Sequence, residues 1–465
     1  MTTTPVPLFL TPCANDEFVP PELTETEAAA ARLAATTIEA ASERVGATMS
    51  VLAESRRGIA AGLLAVNEAN GAEFFVVPTE AALDAAAADE ALGGDELIID
   101  VQTHYIANRA ACEGSREMIR HLYPLFGPDW WEGLTQVQSL DLAEYMRCVY
   151  LHSDTAVAVL SSPPGLTDER MLFNDEMAAT RLLLDRVGGE GRLLNHAVVH
   201  PGVDGELAQM SEVESRIGPA GWKVYTLGAT SLGDVGRIEG WFLDDDIGVR
   251  FLETVQRSNV KVVCAHKGLS GIVPTGSPRD FGPASKMFPD ISFVAYHSGF
   301  EPGDGTPTDD TREGAYTEAT AHIGVNRLVD SLREHGVAPG SNVYAELGTT
   351  WFCLIKRPVE AAHVIGKLLN AVGEDNVLWG SDGIWYGPTG AGVDTFRAFQ
   401  IPEWMRDEFG YPELTPDIKA KVLGLNAARV YGIDPVKARA NMNRGDMAWA
   451  RQVIDEYRRT GTPHL

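Results

Sequence analysis

Short apolar runs rich in Val, Ile, Phe and Tyr recur along the chain, each followed within a few residues by Gly or Pro; they cover residues 97–104, 155–161, 193–200, 222–227, 260–265, 291–297, 342–347 and 376–381. A run this short, bounded by turn formers and lacking a strict polar face, reads as a strand buried on both sides. Longer Ala/Leu/Arg/Glu segments with helical character lie between them, among them 173–187, 246–257, 318–335 and 358–372. Strand and helix in alternation require right-handed crossovers and a parallel sheet. Eight such units close a barrel, so the predicted fold is an α/β (β/α)8 TIM barrel spanning residues 97–435.

The chain has 465 residues, against the ~250 of a minimal barrel, and the surplus lies at its ends. Residues 1–96 read as a helical N-terminal extension. Within it, Thr24-Glu25-Thr26-Glu27 opens an Ala-rich region over 24–66 with the spacing of a capping box, and a break near Val45-Gly46 divides that region into two helices. Residues 80–92 repeat the Ala-rich character. Thr415-Pro416-Asp417 starts a further helix, and the tail 436–465 contains a last, charged one through Val453–Arg459. The Ala-rich segments 24–66 and 80–92 suit a cap or an oligomer contact, either with a second copy or with a paralogous subunit.

Charge narrows the choice of partners. The net charge is -27, from 65 acidic and 38 basic residues, with no basic cluster to neutralise phosphates, which argues against nucleic acid. No stretch of roughly 18 apolar residues occurs, and Met1-Thr2-Thr3-Thr4-Pro5 lacks a basic-then-apolar pattern, so a cytoplasmic protein without membrane contact is expected. Five cysteines, odd in number and without a C-x-x-C pair, argue for reduced thiols.

Chemistry concentrates where the strands end. Gln102, His104, His266, His297, Glu346 and Asp382 all stand at the downstream ends of predicted strands, which is where barrel enzymes place their active sites. Alternation puts Asp100, Gln102 and His104 on one face of the first strand. His104, His266 and Asp382 provide two imidazoles and a carboxylate, a donor set for Zn, Mn or Fe(II) with positions left open. Gln102 is a weaker fourth ligand, since its donor is a neutral amide oxygen. His297 suits general acid/base work or a second metal, and Glu346 proton transfer, unless Glu346 pairs with Lys223 or Arg357.

Lys223, in the fourth strand, is placed to hold a substrate carboxylate; its structural alternative is an ion pair at the bottom of the barrel. His200 on the third strand's rim, and Trp351 and Trp385 after the seventh and eighth strands, are candidate contacts for a small organic substrate, with Phe352 and Tyr386 adding aromatic surface. The Gly/Pro-rich loops Gly268-to-Pro289 and Gly299-to-Gly314 are expected to form the pocket wall and a lid. His121, His322, His335 and His363 fall in helical stretches and read as solvated or packing residues.

Taken in order, these motifs resemble the amidohydrolase-related family of metal-dependent barrels, a group that includes aminocarboxymuconate-semialdehyde decarboxylase. Asp100-Val101-Gln102-Thr103-His104 looks like the first-strand D-x-H-x-H motif with Gln in place of the first His. Cys264-Ala265-His266-Lys267-Gly268 is similar to the fifth-strand metal histidine, His297-Ser298-Gly299 to the sixth-strand histidine, and Gly380-Ser381-Asp382 to the eighth-strand Asp. Lys421 to Arg429 resembles the family's closing helix. The resemblance implies hydrolysis or non-oxidative decarboxylation of a small carboxylate- or amide-bearing substrate at one divalent ion, zinc foremost, with manganese or iron as alternatives. Two other readings stay open: a dinuclear Fe or Mn/Fe centre that activates oxygen for hydroxylation, since six candidate ligands exceed what one zinc needs, and a metal-bearing partner subunit of a hetero-oligomer. The loss of a first-strand histidine at Gln102 favours a single metal.

Overall fold

All eight apolar runs become strands in the computed structural model, which describes residues 4–15, 17–18, 20–112, 140–165, 170–228, 239–269, 273–303 and 312–460. They are β1 (Ile98–Thr103), β2 (Thr155–Leu160), β3 (Leu193–Val198), β4 (Gly221–Tyr225), β5 (Val262–His266), β6 (Ser292–Tyr296), β7 (Val343–Glu346) and β8 (Val377–Leu378). Neighbours in sequence are neighbours in the sheet, and every pair is parallel. The last strand returns to the first: Val101 N donates to Trp379 O (3.1 Å), Asp382 N to Gln102 O (2.9 Å) and His104 N to Gly383 O (2.6 Å). These bonds close the barrel and leave no edge.

Side-chain alternation then sorts the strands into two apolar layers. Val263 and Ala265 of β5, with Phe293 and Ala295 of β6, pack under the surrounding helices. Val262, Cys264, Val294 and Tyr296 join a second cluster with Ile99, Val101 and Leu378 that fills the barrel. At the end away from the strand C-termini, the turn Lys421–Leu425 and the helix Asn426–Val430 cover the barrel, where the family-like closing helix was expected. Gly424 permits this approach, because a Cβ there would lie 1.8 Å from Leu97 O. Tyr431 follows and reaches His196 Nε2 (3.1 Å) and Cys264 Sγ (3.5 Å).

The N-terminal extension is helical as expected, with one more break. Thr24 and Glu27 form the capping box, each side chain taking the other's backbone N–H (3.2 and 2.6 Å), and Gly46 ends α1 (Glu25–Val45) at φ 68°. The remainder divides into α2 (Met49–Ala53) and α3 (Arg56–Asn70), because Thr48 and Ser55 each cap a fresh start. Ala85–Leu92 forms α4. Residues 173–187, 246–257 and 358–372 contain helices Asn174–Arg186, Asp246–Arg257 and Pro358–Val372.

The helix expected over 318–335 is shorter, Asn326–Glu334, since Thr317 closes a separate turn with Thr320 and Gly324 takes φ 45°. The loop after β5 is likewise partly helical, at Phe281–Met287. The lid expected over 299–314 lies partly, and His121 wholly, outside the described residues. All five cysteines are free and buried. Among the described residues no helix is long and apolar enough to cross a membrane.

Charged pairs join the extension to the barrel. Arg56 of α3 meets Asp394 (2.8 Å), Asp89 (3.2 Å) and Asp154 (3.3 Å), while Arg397 meets Glu96 and Asp154 (both 2.9 Å) and Asp394 (3.1 Å).

Candidate active site

Backbone strain gathers at the strand C-termini. Leu269 after β5, His297 and Ser298 after β6, Thr349 after β7 and Asp382 after β8 all have φ between 50° and 63°, a region that side chains other than Gly seldom enter. Five such residues at one end of a barrel must be held there by their surroundings. Glu346 provides part of that hold: its Oε2 accepts from His297 N (3.0 Å) and its Oε1 from Gly348 N (2.6 Å). Gly380 makes room for this carboxylate, since a Cβ there would lie 1.8 Å from Glu346 Oε1.

Two histidines have their tautomers set by carbonyls. His104 Nδ1 lies 2.9 Å from Ser161 O and His297 Nδ1 lies 2.7 Å from Gly348 O. A carbonyl only accepts, so both Nδ1 atoms carry the proton and both Nε2 lone pairs face the barrel mouth. The lone pair of His104 is directed at Asp382 Oδ1, 3.1 Å away. Two acceptors at that distance need a cation between them, either a proton or a metal ion. Ligands about 2.1 Å from one ion stand roughly 3.0–3.4 Å apart, so the spacing suits joint coordination.

His266 stands beside His297. Its ring centroid is 4.6 Å from that of His297, edge to face, and its Nε2 is buried without a hydrogen-bond partner. Burial, with His297 and Lys223 beside it, holds this imidazole well below its usual pKa. His297 is pushed down to about 4 by burial, which outweighs the pull of Asp382. Both rings are therefore neutral near pH 7, as ligands and bases must be. Asp382 goes the other way: burial would raise it, but when the cation between them is a proton on His104 Nε2, the hydrogen bond and charge of that ring hold it below the ordinary carboxylate range.

Gln102 is placed differently from the ligand expected of it. Its amide nitrogen donates to Asp382 Oδ1 (2.9 Å) and stands 3.4 Å from His297 Nε2, while Oε1 is buried with no partner. An amide nitrogen has no lone pair to offer a metal, so Gln102 as placed orients Asp382 and His297. Glu346 too is occupied with backbone N–H groups rather than with Lys223 or Arg357; Arg357 pairs with Glu27 at 2.6 Å. Burial pushes the Glu346 carboxyl up to about 8. Asp100, buried beneath Gln102, is pushed up to about 7 by the same cause, though Ser381 N donates to it at 2.9 Å.

Lys223 is fully buried and its amine makes no hydrogen bond; it sits 3.6 Å from the centre of the Tyr296 ring and 4.8 Å from that of Tyr225. An ion pair at the barrel bottom is therefore not its partner. Trp385 stacks against His104, with centroids 6.1 Å apart. His200 is buried just beyond β3. Trp351, expected at the substrate, is instead drawn into packing: its Nε1 donates to Gly392 O and Thr395 Oγ1, and its ring meets Phe396 and Phe399.

Three further residues reach the centre without having been singled out in the sequence. Thr349 Oγ1 donates to Asp382 Oδ2 (2.6 Å). Asn15 Nδ2 donates to the same oxygen (3.2 Å), and Glu17 Oε1 lies 3.8 Å from His266 Nε2. Both Asn15 and Glu17 belong to the segment before α1, whose only signal is a short polar run, Asn15-Asp16-Glu17. Glu17, His266 and His297 bring one ligand atom each within 4.8 Å of one another, close enough for a metal ion.

A cavity of about 940 Å³ opens beside this cluster, between the N-terminal helices and the loops after β7 and β8. Leu8, Phe9, Phe352 and Tyr386 line it, the last two rings stacked at 3.9 Å, and Thr349 connects it to Asp382. Trp351 borders it as well.

The amidohydrolase family model matches residues 99–433, from the first strand through the closing helix. The chain belongs to the amidohydrolase family. The match leaves out the N-terminal extension that carries Asn15 and Glu17. No curated protein sequence matches the chain. Among solved structures it is similar to an uncharacterized TIM-barrel protein from Bordetella bronchiseptica, at 15% identity and a TM-score of 0.45, over 72% of this chain and 98% of that one. It is also similar to 5-carboxyvanillate decarboxylase from Novosphingobium aromaticivorans, complexed with manganese and 4-hydroxy-3-methoxy-5-nitrobenzoic acid, at 14% and 0.43, over 77% and 99%. A third is 2,6-dihydroxybenzoate decarboxylase from Rhizobium, at 14% and 0.41, over 73% and 100%.

Proposed function

We propose that this amidohydrolase-family chain is a metal-dependent enzyme that hydrolyses or non-oxidatively decarboxylates a small substrate bearing a carboxylate or amide. The observation that carries the reading is a chain of contacts at the ends of four strands: His104 Nε2 lies 3.1 Å from Asp382 Oδ1, Gln102 bridges Asp382 and His297, and the His297 ring stands 4.6 Å from that of His266. His104, His266 and Asp382 would hold one divalent ion, zinc foremost, with manganese as the alternative. When bound, the ion would polarise a carboxylate or carbonyl oxygen and acidify a water.

The chain's own groups supply the rest. His297, neutral and with Nε2 unprotonated, takes or returns a proton at the reacting atom, and Gln102 keeps its ring in line. The Lys223 amine, which has no hydrogen-bond partner in the barrel, is the group to hold a substrate carboxylate. Trp385 stands over His104, and the cavity beyond Thr349 accommodates the apolar body of the substrate. Turnover of hydroxylated aromatic carboxylates, lactones and amides by metal-loaded protein under nitrogen tests the proposal. Product should form without oxygen and stop on chelation. Product that forms only in air, with an electron donor consumed, would reject it in favour of oxygen activation.

A further inference from the structure

The two oxygens of the Asp382 carboxylate offer about four lone-pair positions, and the chain fills three of them. Gln102 Nε2 donates to Oδ1 at 2.9 Å, while Thr349 Oγ1 at 2.6 Å and Asn15 Nδ2 at 3.2 Å both donate to Oδ2. The position left over lies on Oδ1, the oxygen that stands 3.1 Å from His104 Nε2. Asn15 is buried, and its Oδ1 accepts from Glu17 N (3.3 Å), which settles that its amide nitrogen is the atom facing Asp382. Thr349 has a single hydroxyl proton. With that proton on Asp382, the Tyr386 hydroxyl, 3.3 Å from Thr349 Oγ1, is the donor in their contact. The turn that carries Thr349 is itself pinned, since Gly348 N donates to Glu346 Oε1 (2.6 Å) and Gly348 O accepts from His297 Nδ1 (2.7 Å). Thr349 sits on that turn at φ 54°, a value that β-branched residues all but avoid, so its hydroxyl is held on Asp382 against the preference of its own backbone.

We infer that Thr349 and Asn15 are positioning residues that reserve Asp382 Oδ1 for the metal ion, so that Asp382 is a ligand through one oxygen only. This rests on the reading that His104, His266 and Asp382 hold a divalent ion, and it deepens that reading by naming the oxygen and the two groups that select it. A carboxylate free to turn offers either oxygen, or both, to one ion. Two donors on Oδ2 close that option, because an oxygen whose lone pairs face O–H and N–H hydrogens has none left to give. Thr349 is the stronger of the two, since hydroxyl bonds to a carboxylate of about 2.5–2.7 Å are among the strongest in proteins. Asn15 is the weaker and comes from outside residues 99–433. Through its amide hydrogen the N-terminal extension acts on the centre without touching the ion.

The test compares wild-type protein with Thr349→Val, Thr349→Ser, Asn15→Ala and Asp382→Ala, each stripped of metal and then titrated with Zn²⁺ against a chromophoric chelator. Cobalt-loaded samples report the coordination shell by visible absorption. Thr349→Val keeps the shape of the side chain and loses its hydroxyl. It should bind zinc ~10–100-fold more weakly, the usual cost of losing a group that orients a ligand, and its cobalt bands should weaken as Oδ2 enters the shell and the coordination number rises. Thr349→Ser, which keeps the hydroxyl, should restore the wild-type spectrum. Asn15→Ala should change the spectrum in the same direction by less, and it carries the test if Thr349→Val does not fold. Cobalt spectra unchanged in Thr349→Val and Asn15→Ala, while Asp382→Ala loses metal, would overturn this inference and leave the metal reading standing. A Thr349→Ser protein that behaves as Thr349→Val does would overturn it too, since the hydroxyl would then not be the group at work. Wild-type protein that binds no ion would overturn the metal reading itself, and with it this inference.

Discussion

Two charged regions of this molecule are built on opposite plans. Between the N-terminal helices and the barrel, Arg56 and Arg397 face Asp89, Asp154, Asp394 and Glu96, so each cation is met by several carboxylates at 2.8–3.3 Å. Asp154 shows the result: burial would raise its pKa, and Arg397, Arg451 and Arg56 bring it below the usual value. At the strand ends, His104 Nε2 meets Asp382 Oδ1 at 3.1 Å and His266 Nε2 is buried with no hydrogen-bond partner among the described residues, while Lys223 stands apart over Tyr296. The first region is satisfied by its own residues and holds two parts of the chain together. The second leaves buried polar atoms without partners among the described residues and is held in place by strained φ angles.

Mutation should separate the two plans. The largest effect is expected from Asp382→Ala, which removes the acceptor shared by His104, Gln102, Asn15 and Thr349. Turnover should fall about a thousandfold or more, with several kcal/mol of transition-state stabilisation lost, and metal content per chain should fall with it; retained metal would show that Asp382 belongs with the paired region instead. His297→Asn should cost ~10²–10⁴ in kcat and leave one metal per chain, measured by elemental analysis. A loss of metal equal to that in Asp382→Ala would make His297 a ligand first and a base second.

In the paired region the expected loss is of stability. Arg397→Met takes the guanidinium from Glu96 and leaves Asp154 and Asp394 to Arg56, with Arg451 also on Asp154, and should destabilise the fold by about 1–3 kcal/mol in urea titration, while zinc affinity of the folded protein stays at the wild-type value. A smaller effect tests a buried base outside both regions. His363, whose Nδ1 lies 2.9 Å from the Tyr411 hydroxyl, is held down to about 4 by burial and by Lys367. Unfolded, it would titrate near ~6.5, so between those values the unfolded chain binds the extra proton. Stability should fall as the pH is lowered from about 6.5 to about 4, by roughly 1–2 kcal/mol after solvent screening. His363→Gln should flatten that slope; an unchanged slope would assign it to other groups.

The barrel was legible because each strand is buried on both faces and so carries an unbroken apolar signature ended by Gly or Pro. Ser292–Tyr296 is one residue shorter at each end than the expected run, and Val262–His266 starts two residues later and ends one later; His266 at the end of the one and His297 just past the other were marked by that same boundary. The helix expected over 318–335 failed for a local reason, a Thr317 turn that competes with the helix before Asn326.

Side-chain roles were less legible than side-chain places. Gln102 stands where a ligand was expected, yet the direction of its amide is decided by Asp382 and His297, residues 280 and 195 positions away. Trp351 follows β7 as an aromatic wall should, and is turned away by partners at Gly392 and Thr395. Alternating polarity, strand count, the neutral or acidic character of each strand-end residue and the order of the motifs follow from the sequence alone, because they are properties of short stretches of chain. Which lone pairs meet, which backbone turns bear positive φ, and that Asn15 and Glu17 arrive at His266 and Asp382 from the far end of the chain were decided only by the tertiary structure, because closing a barrel brings together atoms whose separation along the sequence carries no local signal.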